Sequence, residues 1–179
     1  GRPAQAYLSG FNATPLERKL SVLLGIPLNG ADPALAPLGS KSGSRKLFQE
    51  AGVAHPAGYE DLRDDHDVLD ALWSLRRERP QVRRAVIKLN EGFSGEGNAT
   101  FRYPVAPDRL ALERAFRRVS FVARGERRER FFAKFGEMGG IVEEFIEGAE
   151  TRSPSAQLRT SPDGEVLPRD CNLCHTILS

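Results

Sequence analysis

Sulfur and indole chemistry are scarce in this sequence of 179 residues, which holds two cysteines, one methionine and one tryptophan. Both cysteines fall in one tail motif, Cys171-Asn-Leu-Cys174-His175, so whatever thiol chemistry the chain has is confined to that motif. Long apolar runs are missing as well. No stretch approaches the roughly 18 residues of a membrane span, and the first residues lack the basic, apolar and small-residue order of a secretory leader. These absences predict a soluble, globular, cytoplasmic chain without a membrane partner. The start at Gly1 rather than Met predicts an excerpt or a processed product, which weakens what the missing leader says about localisation. Internal repeats and low-complexity tracts are also lacking. A net charge of +2 supplies no field that would by itself hold nucleic acid. Charge is nevertheless unevenly placed: 102–134 carries ten Lys/Arg against four Asp/Glu, and 141–150 has four glutamates and no base. Aromatics within the basic segment recur at helical spacing, which reads as a solvated helix face over a core stripe rather than a nucleic-acid surface.

A hydrophobic fraction of 40% over this length is enough for one ordinary core or two small subdomains. Residues 1–13 show no periodicity. Thr14-Pro-Leu-Glu17 has the form of a capping box with proline at the first helical position, followed by Leu16, Leu20, Leu23 and Leu24 until Gly25 ends the helix. Residues 26–28 read as a short edge strand and 29–40 as a connector. A second helix is expected from Lys41 through Leu47, Phe48 and Ala51, closed by Gly52. Its start, Lys41-Ser-Gly-Ser-Arg-Lys46, sets cations against the positive end of the macrodipole, a conflict that either a docked anion or plain solvation would relieve. A turn-rich passage leads to an amphipathic helix over 67–79, with Leu69, Leu72, Trp73 and Leu75 inward and Pro80 as its stop. Further on, Pro107-Asp108 opens a helix with Leu112, Phe116, Val119 and Val122 inward, and Phe131, Phe135 and Met138 repeat the pattern. A strand is expected over 141–146. Strands over 156–160 and 165–167 are joined by the turn Ser161-Pro-Asp-Gly164.

The stretch that organises the chain is Arg84-Ala-Val-Ile-Lys-Leu-Asn-Glu-Gly-Phe-Ser-Gly-Glu-Gly-Asn98. Ala85, Val86, Ile87 and Leu89 read as a buried strand, and Lys88 within it must reach solvent or meet an anion, because an unpaired buried charge is costly. Gly92, Gly95 and Gly97 would let backbone N–H groups converge on phosphate. The spacing fits neither G-x-x-x-x-G-K-[ST] nor G-x-G-x-x-G. For the loop alone, a hairpin with turn glycines and a snorkelling lysine is the default reading ahead of a phosphate cradle.

Taken in order, Lys41 at a helix start, Lys88 on a strand, the glycine loop and Val142-Glu-Glu-Phe-Ile-Glu-Gly-Ala-Glu150 resemble the nucleotide-binding half of the ATP-grasp superfamily. Gly39-Ser-Lys-Ser-Gly-Ser-Arg45, Ala51-Gly-Val-Ala-His-Pro56, the glycine stretch itself and Ser153-Pro-Ser-Ala-Gln157 resemble the branch holding the pheganomycin-type peptide ligases. The resemblance runs from Leu23 to about Leu167. It implies an α+β (mixed α/β) fold. Residues 1–40 would end a preceding domain, 41–146 would form a lid-bearing nucleotide subdomain, and 147–179 would begin an incomplete second one. It further implies that Lys41 and Lys88 contact the nucleotide phosphates while Gly92, Phe93, Ser94, Gly95 and Gly97, with Glu91 beside them, fold over these groups. Glu143 would sit by the adenine amino group, Phe145 and the Ile146 backbone by the adenine edge, and Glu150 would accept from the ribose hydroxyls. Such a slot suits a flat base, a diol and a polyphosphate. Without the resemblance, Glu143 and Glu144 read equally well as an exposed strand face.

In that superfamily ATP turns a carboxylate into an acyl phosphate that an amine attacks, with Mg2+ held by acidic residues and an Asn in the second half of the fold. The resemblance thus implies ATP and Mg2+, and small-molecule or peptide carboxylate and amine substrates. No Asp/Glu…Asn metal set and no catalytic residue can be assigned in this sequence, so catalysis by this chain alone is not expected. A non-catalytic nucleotide-binding or interaction module is the alternative. The tail departs from the branch pattern after Pro168. Cys171-Asn-Leu-Cys174-His175 satisfies C-x-x-C-H, yet a haem protein would want an export signal and an apolar crevice, and a zinc site would want a fourth ligand from His55 or His66. Ordinary reduced thiols account for the motif with fewest assumptions.

Overall fold

The computed structural model describes residues 6–10, 12–92, 95–105, 108–148, 153–160 and 165–174. Two compact units are present, residues 1–145 and 146–179. In the first, α1 (Pro15–Leu24) begins with the expected capping box. Thr14 accepts from the Leu16 amide, Glu17 reaches back to the Thr14 amide, and Gly25 closes the helix at φ 63°. Its leucines remain exposed. The connector is more ordered than its composition implies, because Asp32 caps a 3-10 helix over Pro33–Gly39. In place of a strand over 26–28 there is a single parallel bridge, Leu8 to Leu28.

The second helix, α2 (Lys41–Glu50), ends at Ala51, with Gly52 next at φ 66°. It buries Ser42, Gly43 and Arg45 and leaves Leu47 and Phe48 exposed, so its inward face is polar rather than apolar. A strand the sequence did not announce follows, β1 (Gly58–Leu62). α3 (Asp65–Glu78) then presents Val68, Ala71, Leu72 and Leu75 to the core. Asp64 caps it by accepting from the Asp67 amide at 2.8 Å. Asp64→Ala is expected to lower unfolding free energy by about 1 kcal/mol, read from a urea midpoint, since it orphans a first-turn amide of a helix that presents four buried residues to the core.

β2 (Arg84–Leu89) and β3 (Asn98–Arg102) form the expected hairpin, with Lys88 opposite Asn98. β2 alternates rather than being buried throughout: Ala85, Ile87 and Leu89 point into the core, whereas Val86 and Lys88 take the other face. α4 (Arg109–Phe116) is shorter than expected. It stops before Val119, the chain turns into β4 (Ser120–Phe121), and Val122 is exposed instead of facing inward. α5 (Arg128–Met138) buries Phe131 and Phe135, and β5 (Gly140–Glu144) ends two residues earlier than expected. The fold is α+β. Its five-stranded antiparallel sheet has the order β1-β5-β2-β3-β4. Residues of α3, α4 and α5 join Ala85, Ile87, Ala99, Phe101 and Val142 in one core on one face of this sheet. Burying aromatic side chains such as Phe101, Phe131 and Phe135 in full is the main apolar contribution to stability. The opposite face of β2 and β5 carries Val86, Lys88, Ile141 and Glu143.

In the second unit, β6 (Ser153–Thr160) pairs antiparallel with β7 (Val166–Cys174). Both strands are longer than the sequence indicated. Cys171 and Cys174 therefore lie on the backbone of β7, opposite Ala156 and Ser153, rather than in an irregular tail. The joining turn, 161–164, and His175 lie outside the described residues. No helix among the described residues is long and apolar enough to cross a membrane.

Candidate functional site

The site grows from the end of β2. In an antiparallel pair, residues on one face meet directly or on the diagonal. Val86 is opposite Glu143 and Lys88 is opposite Ile141, which makes Lys88 and Glu143 diagonal neighbours. The Lys88 ammonium forms an ion pair with Glu143 Oε1. On the other side of the same carboxylate, Arg45 Nη1 donates to Glu143 Oε2 at 3.3 Å. Arg45 is itself fixed from three directions: its Nη1 also donates to the Pro56 carbonyl at 2.8 Å, and its Nε donates to Glu60 Oε2 at 3.2 Å. Glu143 and Arg45 are both buried, at 8% and 6% exposure, while the Lys88 side chain keeps 26%. Gly58 lets β1 pass this close, because a Cβ there would collide with the Val142 carbonyl oxygen and sit 2.7 Å from Glu143 Cα.

The residue after β2, Asn90, ties three elements together. Its Oδ1 accepts from the Ser42 amide at 2.9 Å and the Ser42 hydroxyl at 2.8 Å, and its Nδ2 donates to the Met138 carbonyl at 3.0 Å. The Lys41 amide donates to the Asn90 carbonyl and the Gly43 amide to Ser40 Oγ. All three N–H groups that open α2 therefore have protein acceptors, and the helix terminus does not offer them to an anion. The conflict between Lys41 and the macrodipole is relieved by carbonyls instead: its Nζ donates to Asn90 O at 3.4 Å and Gly92 O at 3.3 Å. Burial pushes the Lys41 ammonium below its usual range, and the nearby Lys88 cation adds to this, against the opposing pull of Glu143 and Glu91. Two lysines from distant parts of the chain thus lie near enough to repel each other at the root of the glycine hairpin.

Within that hairpin the glycines have separate reasons. Gly92 and Gly97 lie back to back, where a Cβ on Gly92 would stand 2.6 Å from Gly97 Cα, and Gly95 turns the chain at φ 82°. The neck is held by Leu89 N to Gly97 O at 2.8 Å. The hairpin explanation of these glycines is therefore sound on its own terms, whatever the loop does besides. Next to the neck lies a cleft of about 780 Å3 whose wall includes Lys41, Asn90, Glu91, Gly92, Ser40 and Asp32.

A family model described as IQCH-like, ATP-grasp matches residues 33–104, which takes in α2, β1 and the whole hairpin. The fold agrees with solved structures. It superposes on N5-carboxyaminoimidazole ribonucleotide synthetase from Thermus thermophilus with a TM-score of 0.53 at 18% identity, covering 93% of this chain and 37% of that one. Against an ADP complex of such a synthetase the TM-score is 0.55 at 12% identity, with 90% and 35% covered. Against D-alanyl-alanine synthetase A from Vibrio cholerae it is 0.53 at 13% identity, with 92% and 44% covered. The chain resembles the ATP-grasp family over residues 33–104 and shares the fold of these synthetases. Its sequence is 30% identical over 177 residues to L-propargylglycine–L-glutamate ligase of Streptantibioticus cattleyicolor, covering 96% of this chain and 35% of the ligase. It is also 35% identical over 97 residues to IQ motif-containing protein H of Danio rerio, covering 53% of this chain and 9% of that protein. The chain thus spans about a third of the ligase's length and a far smaller part of the other relative.

Of the residues expected in an ATP-grasp nucleotide site, the structure brings together Lys41, Lys88, Glu143 and the backbone of Gly92, with Glu91 close enough to influence Lys41. Glu143 is a buried counter-ion and not part of an exposed charged face. Glu144 accepts from the Ala57 amide at 3.2 Å. Phe145 lies under the Arg84 guanidinium, 4.0 Å from ring centre to Arg84 Cζ, and Ile146 is exposed in the second unit. Phe93, Ser94 and Glu150 lie outside the described residues. Sequence reasoning missed Asn90, Ser42, Arg45 and Glu60. Only Arg45 left a trace, since it stands four residues after Lys41 and so shares its side of the helix.

Proposed function

We propose that this chain is the nucleotide-binding portion of an ATP-dependent carboxylate-amine ligase that works through an acyl phosphate. The observation that carries this reading is the convergence of Lys41 and Lys88 at the root of a glycine hairpin inside an ATP-grasp fold. Two ammonium groups beside the glycine-rich backbone suit a polyphosphate. In this reading Lys41 and Lys88 hold the phosphates and Gly92, Phe93, Ser94, Gly95 and Gly97 cover them. Glu143 stands by the adenine amino group, Phe145 and Ile146 by the adenine edge, and Glu150 by the ribose. The nucleotide subdomain runs over 41–146, and the second subdomain begins at 147. The transferred phosphoryl group would bond to a substrate carboxylate oxygen as ADP leaves, and an amine would then displace phosphate to form the amide. The named substrates of the Streptantibioticus relative support amino-acid-like carboxylate and amine partners.

Superfamily ligases use Mg2+, which would offset the negative charge of the nucleotide phosphates. The described residues do not fit that ion here: Glu143 is committed to Lys88 and Arg45, and Glu60 to Arg45. Among the described residues, a group of acidic and His side chains close enough to share an ion is Asp64, His66 and Asp67, where Asp64 and Asp67 already accept backbone amides. No Mg2+ ligand is therefore assigned among the described residues, and no step is derived through the ion.

Binding is testable directly. Calorimetric titration with Mg-ATP is expected to give a saturable isotherm, and amide exchange at Gly95 and Gly97 is expected to slow when the nucleotide is bound. Fast exchange in both states would remove the phosphate-cover role. The match to IQ motif-containing protein H favours a second reading, a nucleotide-binding module without ligation. Formation of ADP that depends on both a carboxylate and an amine, measured on the full reading frame, separates the two.

A further inference from the structure

The Lys88 ammonium is already engaged, which raises the question of how it becomes available to a phosphate. Glu143 is buried, and removing its cation would leave a bare carboxylate at low dielectric, at a cost that would pin Lys88 where it is. A second cation alters that balance. Arg45 touches the other oxygen of Glu143, and of the two cations it is the fixed one: its guanidinium is held by Glu60, the Pro56 carbonyl and Glu143 at once, on β1, the loop before it and β5. Lys88 has one acidic partner among the described residues, a flexible stem and the greater exposure, 26% against 7%. When Lys88 swings out, Glu143 keeps an ion pair and no buried charge is orphaned.

Resting on the nucleotide reading above, we infer that Arg45 is a positioning residue that keeps Glu143 neutralised so that Lys88 can exchange its carboxylate partner for a nucleotide phosphate. Charge counting agrees. The four groups Arg45, Lys88, Glu60 and Glu143 sum to zero at rest, and the phosphate that recruits Lys88 brings its own negative charge. Glu60 tempers the guanidinium and fixes its plane, so the Arg45–Glu143 contact survives the exchange. The role is distinct from contact with ATP, because the Arg45 side chain is nearly closed off from solvent.

The inference makes a signed prediction in which one substitution cures another. In Arg45→Met, Lys88 is the remaining ion-pair partner of Glu143 among the described residues, with Lys41 acting on it only at longer range. Mg-ATP affinity measured by calorimetry should fall about tenfold, and Lys88 should be acetylated by a brief pulse of acetic anhydride about threefold more slowly than in the native chain, read by mass spectrometry. Adding Glu143→Gln removes the charge that pins Lys88, and labelling should return to the native rate or above. Arg45→Lys should fall between native and Arg45→Met. A role in folding alone would lower the urea midpoint without slowing Lys88 labelling in the folded protein, and labelling that is unchanged or faster in Arg45→Met overturns the inference. Should Arg45→Met fail to fold, Glu143→Gln alone decides, since it must raise Lys88 labelling. The labelling arm needs no nucleotide. If the native chain shows no heat with Mg-ATP while labelling still follows Arg45, the nucleotide reading fails and the hold of Arg45 over Lys88 stands.

Discussion

Lys88→Ala is expected to abolish measurable Mg-ATP binding in a calorimetric titration that detects the native chain, a loss of roughly 30-fold or more. Truncating a charged donor that meets a ligand in a partly closed site commonly costs about 2–5 kcal/mol, and about 1.4 kcal/mol is a factor of ten in affinity. The variant should still fold. Its β2 core face, made by Ala85, Ile87 and Leu89, is untouched, and the Glu143 carboxylate retains Arg45 at 3.3 Å. That combination gives the experiment its force, since loss of affinity in a protein with a near-native urea midpoint cannot be assigned to unfolding. Lys41→Ala should weaken binding less selectively, because the Lys41 ammonium also braces the carbonyls of Asn90 and Gly92 at the hairpin root. Equal affinity in Lys88→Ala and the native chain would remove Lys88 from the phosphate site.

What the sequence revealed of this site, and what it hid, follows from the range of each interaction. Lys88 and the glycine loop were legible because a charge inside an apolar run and three closely spaced glycines are local anomalies. The capping box of α1 and the β2–β3 hairpin were legible for the same reason. Arg45, by contrast, meets Glu60 15 residues away and Glu143 98 residues away, and no local pattern announces a buried arginine. Its neighbours Ser42 and Gly43 are buried for polar and steric reasons: Ser42 bonds Asn90, and a Cβ on Gly43 would stand 2.8 Å from Leu38 Cα. Leu47 and Phe48 therefore misdirected the reading of α2 toward an apolar face it does not bury.

β1 escaped notice on similar grounds. Gly58-Tyr-Glu-Asp-Leu62 is short, lacks clean alternation and includes Asp61 at φ 60°, a left-handed conformation unusual outside glycine. The surroundings hold it there. The Asp61 amide donates to Ser42 Oγ at 3.1 Å and its carboxylate pairs with Lys46, while the ladder to β5 shifts register between Tyr59 and Leu62. The helix over 109–116 was overextended for a different reason. Val119 is buried as expected, but it is carried there by a turn into β4, so apolar spacing alone could not mark where the helix stops.

The second large effect is expected at the seam between the core and the site. Gly140 opens β5 opposite Leu89, with Lys88 next along β2. A Cβ on Gly140 would overlap the Lys88 carbonyl oxygen and lie 2.5 Å from Cζ and 2.7 Å from Cε2 of Phe135. Neither neighbour can yield cheaply. The carbonyl belongs to the β2 backbone, and Phe135 is fully enclosed among Phe131, Phe132 and the strands, so moving its ring requires the core to open. Gly140→Ala should therefore lower unfolding free energy by about 3 kcal/mol, the upper range for overpacking by one methyl group, and shift the urea midpoint accordingly. Gly39→Ala supplies the contrast. A Cβ there meets nothing within 4 Å, so its midpoint should stay within about 0.5 kcal/mol of native. Because the displaced carbonyl is that of Lys88 itself, any Gly140→Ala protein that remains folded should also bind Mg-ATP more weakly, whereas Gly39→Ala should not. A midpoint for Gly140→Ala equal to that of Gly39→Ala would show that β5 does not lie as close to β2 and α5 as this packing requires.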